Sequence, residues 1–208
     1  MRNGLILEAE NLRKLFEVRR GLLGGLRKAA YLRAVDGINL EIKNKEVFGL
    51  VGESGCGKTT TGRLILRLEE ATNGKVRFRG VDLFSLKANE MKKIRREMQM
   101  VYQNPYESMP ERLTVHQIVL EPLNLLGIGG DRAERDEMVS KSLESVGLTP
   151  ELFRVRYIYE LSGGQRQRVA IARAFVVLPK FVVADEPVSM LDVSIRAEVL
   201  NLLLDLRD

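Results

Sequence analysis

The chain has 208 residues, 45% hydrophobic and 29% charged, a globular balance with room for one domain and a sizeable core. No apolar run approaches the roughly 20 residues needed to cross a bilayer, the best candidate, 175–184, being broken by Pro179 and Lys180, and a secretory leader is not expected. The single cysteine, Cys56, excludes an intrachain disulfide framework and a multi-cysteine zinc site.

The formal net charge is +5, with the basic residues interleaved among acids except around Arg13, Lys14, Arg19, Arg20, Arg27, Lys28 and Arg33. These surround a glycine–leucine stretch at 21–25 that reads as a flexible loop between strands. Residues 5–10 before it and 32–42 after it alternate loosely and predict β-structure. Residues 46–51 supply a short apolar strand running into a glycine-rich turn. A helix follows over 59–68, with Leu64, Ile65 and Leu68 on one face. The turn signal Asn73-Gly74 introduces a strand at 75–78.

From about Thr114 to Gly147 the pattern is helical. Thr114 with Gln117, and Asp131 with Glu134, have capping-box spacing. Val139, Leu143 and Val146 share one face of the second helix, and Gly147 is placed to end it. From Gly163 the expected order is a helix to about Val177, a buried strand at 181–184 and a last helix from Ser194.

Residues 52–59, Gly-Glu-Ser-Gly-Cys-Gly-Lys-Thr, fit the P-loop pattern G-x-x-x-x-G-K-[ST] without substitution. Each position has a physical reason. Gly52, Gly55 and Gly57 let consecutive backbone N–H groups of the loop, including those of Glu53, Ser54 and Cys56, converge on phosphate oxygens. The following helix turns its unsatisfied N–H groups, from Thr59 and Thr60 onward, to the same anion. Lys58 can reach the β- and γ-phosphates, and the Thr59 hydroxyl can ligate Mg²⁺. Further on, an apolar strand ends in Asp185-Glu186, the Walker B arrangement: Asp185 for the Mg²⁺ shell, Glu186 to accept a proton from water or orient it. Residues 161–165, Leu-Ser-Gly-Gly-Gln, open a second helix with the same phosphate-binding logic. One nucleotide rarely needs two such sites, whereas two copies placed head to tail would use both.

With these motifs the chain resembles the nucleotide-binding subunits of ABC transporters over nearly its whole length. It is most similar to the peptide importer group (oligopeptide, dipeptide and nickel). Residues 34–37, 50–58, 103–106, 186–189 and 191–194 carry the narrower likeness, and 161–165 match the family signature. The resemblance implies an α/β fold: a P-loop NTPase core with an N-terminal antiparallel β subdomain and an inserted α-helical subdomain. It implies one nucleotide-binding domain over 1–208, with 1–103 and 161–208 as core and 104–160 as the helical lobe. Phe16 resembles the aromatic that stacks on adenine, the alternative being a core phenylalanine of the first strand. Gln103 resembles the glutamine that senses γ-phosphate and Mg²⁺, and it joins Glu186 and Lys58 as a catalytic candidate. Ser162, Gly163, Gly164 and Gln165 would contact the nucleotide of an opposite protomer. Asp192 resembles the aspartate that links the two sites. The implied cofactors are ATP and Mg²⁺. The implied partners are a second ATP-binding subunit, transmembrane permease subunits that dock a coupling helix on the lobe and, indirectly, a solute-binding protein, with no nucleic acid. The implied location is the inner face of the cell membrane.

Met190 replaces a small residue of the family pattern, and Met109-Pro110-Glu111 alters the stretch after Gln103. Neither removes a phosphate or metal ligand. The family's switch histidine is not among these residues. The only histidine, His116, falls in the lobe and reads as a surface residue of its first helix. The chain is therefore expected to be truncated before that histidine. An ABC ATPase without a transporter, or a nucleotide-binding fragment inactive in hydrolysis, remains the alternative.

Overall fold

The computed structural model describes residues 4–18 and 30–207, so the basic glycine–leucine loop expected near 19–28 lies outside the described residues. The chain divides into two compact units, one ending at Lys87 and the other beginning at Ala88.

The first unit is built on an antiparallel sheet of β1 (Leu5–Val18), β2 (Ala30–Lys43), β3 (Asn73–Phe78) and β4 (Val81–Asp82), in the order β2-β1-β3-β4. Strand β1 buries Ile6 near its start and then Leu7 and Ala9 at period-two spacing. Strict alternation would then turn Asn11 inward. Instead the register shifts between Ala9 and Leu12, Asn11 takes φ +44°, and Leu12 is buried. The Asn11 N–H donates to Asn39 Oδ1 at 2.8 Å, so the bulge leaves that donor satisfied. Helix α1 (Lys58–Ile65) buries Leu64 and Ile65 as expected, but it stops short of Leu68, which is exposed, while Leu66 is buried. Past its end, Arg67 Nη1 donates to the carbonyls of Leu83 (2.7 Å) and Leu86 (2.8 Å), fixing the segment after β4.

The strand expected over 46–51 does not form. These residues join no ladder among the described residues, and Val47, Phe48, Leu50 and Val51 are exposed, Val51 at 95%. Apolar composition favours a strand only where a neighbour satisfies its backbone groups.

The second unit begins with α2 (Ala88–Glu97) and β5 (Met98–Val101), two elements without a sequence signal of their own. Helix α2 buries only Met91, and a four-residue strand is too short for a period. Strand β5 pairs in parallel with β6 (Phe181–Ala184), from Met98 opposite Phe181 to Val101 opposite Ala184. Strand β6 has the expected bounds but is not buried: its first three residues are half-buried and Ala184 is exposed. Its one ladder among the described residues is that with β5.

Helices α3 (Val115–Leu126), α4 (Arg132–Ser145), α5 (Pro150–Phe153), α6 (Gly163–Phe175) and α7 (Val193–Asp205) complete the unit. Both expected start signals operate. Gln117 Oε1 accepts the Thr114 N–H at 2.9 Å while Thr114 Oγ1 accepts that of Gln117 at 3.3 Å. Asp131 Oδ1 accepts the Glu134 N–H at 2.8 Å, but Glu134 reaches back one residue further than a standard box, to the Gly130 N–H at 2.6 Å. Gly147, at φ +71°, ends α4 in a Schellman turn: its N–H bonds the Glu144 carbonyl (2.9 Å) and that of Leu148 the Leu143 carbonyl (3.0 Å). One apolar cluster joins Ile118 and Leu123 of α3, Val139 and Leu143 of α4, Val169 and Ile171 of α6, and Val101 of β5. His116 is on α3 as expected. It is partly buried rather than at the surface, with Nε2 2.7 Å from Asp136 Oδ1 of α4.

Candidate functional site

In the first unit, the loop 52–57 delivers the chain into α1 through Gly57, whose φ of +98° is left-handed. A Cβ at Gly57 would stand 2.2 Å from the Ala34 carbonyl oxygen of β2, so only glycine fits here. No side chain caps α1 and no acid occupies its first turn, so its N-terminal dipole is not offset by a carboxylate of the helix. Gly55 also has positive φ, +80°, and a Cβ there would meet nothing within 4 Å. Lys58 folds back over the loop, its ammonium donating to the carbonyls of Gly52 (2.7 Å) and Glu53 (2.9 Å). Glu53, Ser54 and Cys56 are exposed along the loop, while Thr59 and Thr60 are half-buried in the first turn of α1. An uncapped helix start behind an open glycine loop, with a lysine across it, suits a polyphosphate.

Phe16, near the end of β1, is 37% exposed and its ring lies 4.8 Å from the Lys14 ammonium. This excludes the core alternative and leaves an aromatic face at the surface of the first unit.

In the second unit, β6 ends at Ala184, and the Asp185 N–H bonds back to the Val101 carbonyl at 2.9 Å. Asp185 and Glu186 therefore leave the sheet where β5 gives way to residues 102–104, which brings Gln103 beside Glu186. Gln103 Nε2 donates to Glu186 Oε2 at 2.8 Å and to Ser189 Oγ at 3.3 Å. Glu186 holds φ +44°, uncommon for a side chain that is not glycine and often tolerated where function demands a geometry. Ser189 closes the turn: its N–H and its hydroxyl both donate to the Glu186 carbonyl, at 3.1 and 3.0 Å. No role falls to Ser189 from sequence alone. Its signal, a serine three residues after Glu186, is shared by countless turns.

Ser162 caps α6 through a complete capping box. Its Oγ accepts the Gln165 N–H at 3.3 Å, and Gln165 Oε1 accepts the Ser162 N–H at 3.0 Å. Ser162 and Gly163 are exposed, whereas Gly164 is buried against α7, where a Cβ would come within 3.0 Å of Ile195 Cγ2. Asp192 sits at the N-terminus of α7, exposed and with no side-chain cap bond. Two further contacts tie the stretch after Gln103 to this end. The Arg166 guanidinium of α6 stacks 4.7 Å from the Tyr106 ring, and Met109, one of the departures from the family pattern, is buried in the core. Met190, the other, is exposed.

Among the described residues no three or more His, Cys, Asp or Glu side chains gather as a metal cluster.

Comparison with known proteins gives a consistent result. A family model described as ABC transporter matches residues 35–189. A Brucella ovis protein provisionally named for ATP binding in peptide import is 52% identical over 180 residues, covering 86% of this chain and 56% of that protein. The oligopeptide transport ATP-binding protein AppF of Bacillus subtilis is 45% identical over 204 residues, covering 98% of this chain and 61% of its own length. The chain thus spans little more than half the length of the curated relatives it matches. Among solved structures, the ATP-binding cassette MJ0796, in a dimeric post-hydrolysis state bound to ADP and Pi, superposes with a TM-score of 0.83 at 29% identity. That match covers 97% of this chain and 83% of the other.

Proposed function

The chain belongs to the ABC transporter family, and from that premise we propose that it binds ATP and Mg²⁺ and hydrolyses the nucleotide to energise import of oligopeptides, dipeptides or a related small solute. The observation that carries this reading is the loop at 52–59, with its left-handed glycines, uncapped helix and Lys58. Backbone N–H groups of the loop and Lys58 hold the phosphates, and Phe16 offers a face for adenine. Thr59, Gln103 and Asp185 are the ligands assigned to Mg²⁺, which would supply charge neutralisation at the phosphates. Glu186 takes the proton of the attacking water. Residues 1–103 and 161–208 serve as the ATP-binding core and 104–160 as the lobe that meets the permease subunits.

The signature residues 162–165 and Asp192 address a second ATP-binding subunit. The dimeric state of MJ0796 and the importer names of the relatives support that assembly. A solute-binding protein acts upstream, and the inner face of the membrane is the working location; no helix of the described residues is long and apolar enough to cross it.

Nucleotide affinity by calorimetry and ATP turnover test the reading together. Lys58→Ala should weaken ATP binding about tenfold to a hundredfold, the worth of a charge-assisted hydrogen bond. Glu186→Gln should keep binding and lose turnover. Equal affinity in the lysine variant would remove the loop from the binding site, and undiminished turnover in the glutamine variant would remove Glu186 as base.

A further inference from the structure

We propose that Ser189 is a positioning residue that sets which end of the Gln103 side-chain amide faces the metal. The inference rests on the function proposed above and adds a residue to it. The Ser189 hydroxyl has one hydrogen, and at 3.0 Å from the Glu186 carbonyl that hydrogen is already donated. Towards Gln103 it can therefore present only lone pairs. The Glu186 carboxylate, when ionised, is also acceptor-only. Gln103 thus meets two acceptors on one side, at 2.8 and 3.3 Å, and both bonds are made by Nε2. The NH₂ end is drawn to Glu186 and Ser189, and Oε1, the only atom of this amide that can ligate a cation, is turned away from them.

Glu186 alone would leave the amide one anchor and a rotation about it; Ser189 adds the second. The same hydroxyl, together with the Ser189 N–H, engages the Glu186 carbonyl and so supports the left-handed backbone that carries the carboxylate. Ser189 is exposed, so replacing its hydroxyl leaves no buried cavity.

The test compares wild type, Ser189→Ala and Ser189→Thr in the full chain. The side-chain amide resonances of Gln103 are read by nitrogen-15 NMR, and ATP turnover is followed as a function of Mg²⁺. Ser189→Ala should displace the Gln103 amide signals and lower kcat about three- to tenfold, the weight of one hydrogen bond. It should also raise the Mg²⁺ needed for half-maximal rate while leaving KM for ATP unchanged. Ser189→Thr, which keeps the hydroxyl, should restore both readouts. Unchanged Gln103 signals in Ser189→Ala, or failure of threonine to restore them, overturns the inference. If wild type itself shows no turnover, the hydrolytic reading falls, and the amide signals alone decide the role of Ser189.

Discussion

Gly57 and Gly55 stand two residues apart in one loop, both at positive φ, yet they differ in what surrounds them. At Gly57 a methyl group would be driven onto the Ala34 carbonyl; at Gly55 it would enter open space. Gly57→Ala should therefore destabilise the protein by about 1–3 kcal/mol and impair nucleotide binding. Gly55→Ala, limited to backbone strain, should have the smaller effect, on the order of 1 kcal/mol. Thermal denaturation of the two variants checks the order, and equal shifts would contradict the packing argument. The glycines were legible in the sequence as a phosphate-binding pattern. Which of them is also required by a neighbouring strand was not, because that neighbour lies more than twenty residues earlier in the chain. The same holds for Gln103, Glu186 and Ser189. The first two were nameable from motifs, but their mutual hydrogen bond spans 83 residues.

Elements were legible where local chemistry alone decides them. Helix α3 starts where Thr114 and Gln117 say it should, because both halves of the box are made within four residues. Thr114→Ala should lower stability by about 1 kcal/mol and fray the start of α3. Amide hydrogen exchange of residues 115–117 would show this as faster exchange, and unchanged protection would mean that the core contact of Val115 holds the turn without its cap. Strands read less well. Residues 46–51 have strand composition but join no ladder among the described residues, and β5, which has a ladder, is too short to show a period. Hydrogen-bond partners of a helix lie within the segment, whereas those of a strand are supplied from elsewhere.

For the molecule as a whole, the apolar cluster of the second unit gathers α3, α4, α6 and β5 around fully buried side chains such as Leu143. Leu143→Ala should destabilise by about 2–5 kcal/mol, the transfer of the deleted atoms plus the cavity left behind. Urea denaturation followed by far-ultraviolet circular dichroism measures it. A loss below about 1 kcal/mol would mean that the helices collapse into the space. Helices α3 and α4, within the residues expected as the helical lobe, pack their buried side chains into the same cluster as α6, a contact that no window of sequence reveals.

The sequence by itself determined the family, the glycine loop at 52–59 with its P-loop pattern, the acidic pair at the end of β6 and the starts of the main helices. Each is written in adjacent residues whose chemistry is local: glycine conformation, helix capping, a carboxylate at a strand end. Only the tertiary structure decided that Phe16 is exposed, that Asn11 sits in a bulge, that residues 46–51 join no ladder among the described residues, and that Gln103 hydrogen-bonds both Glu186 and Ser189. Those outcomes depend on which distant backbone or side chain arrives at a given point, and chain folding settles that through packing and hydrogen-bond satisfaction over the whole unit.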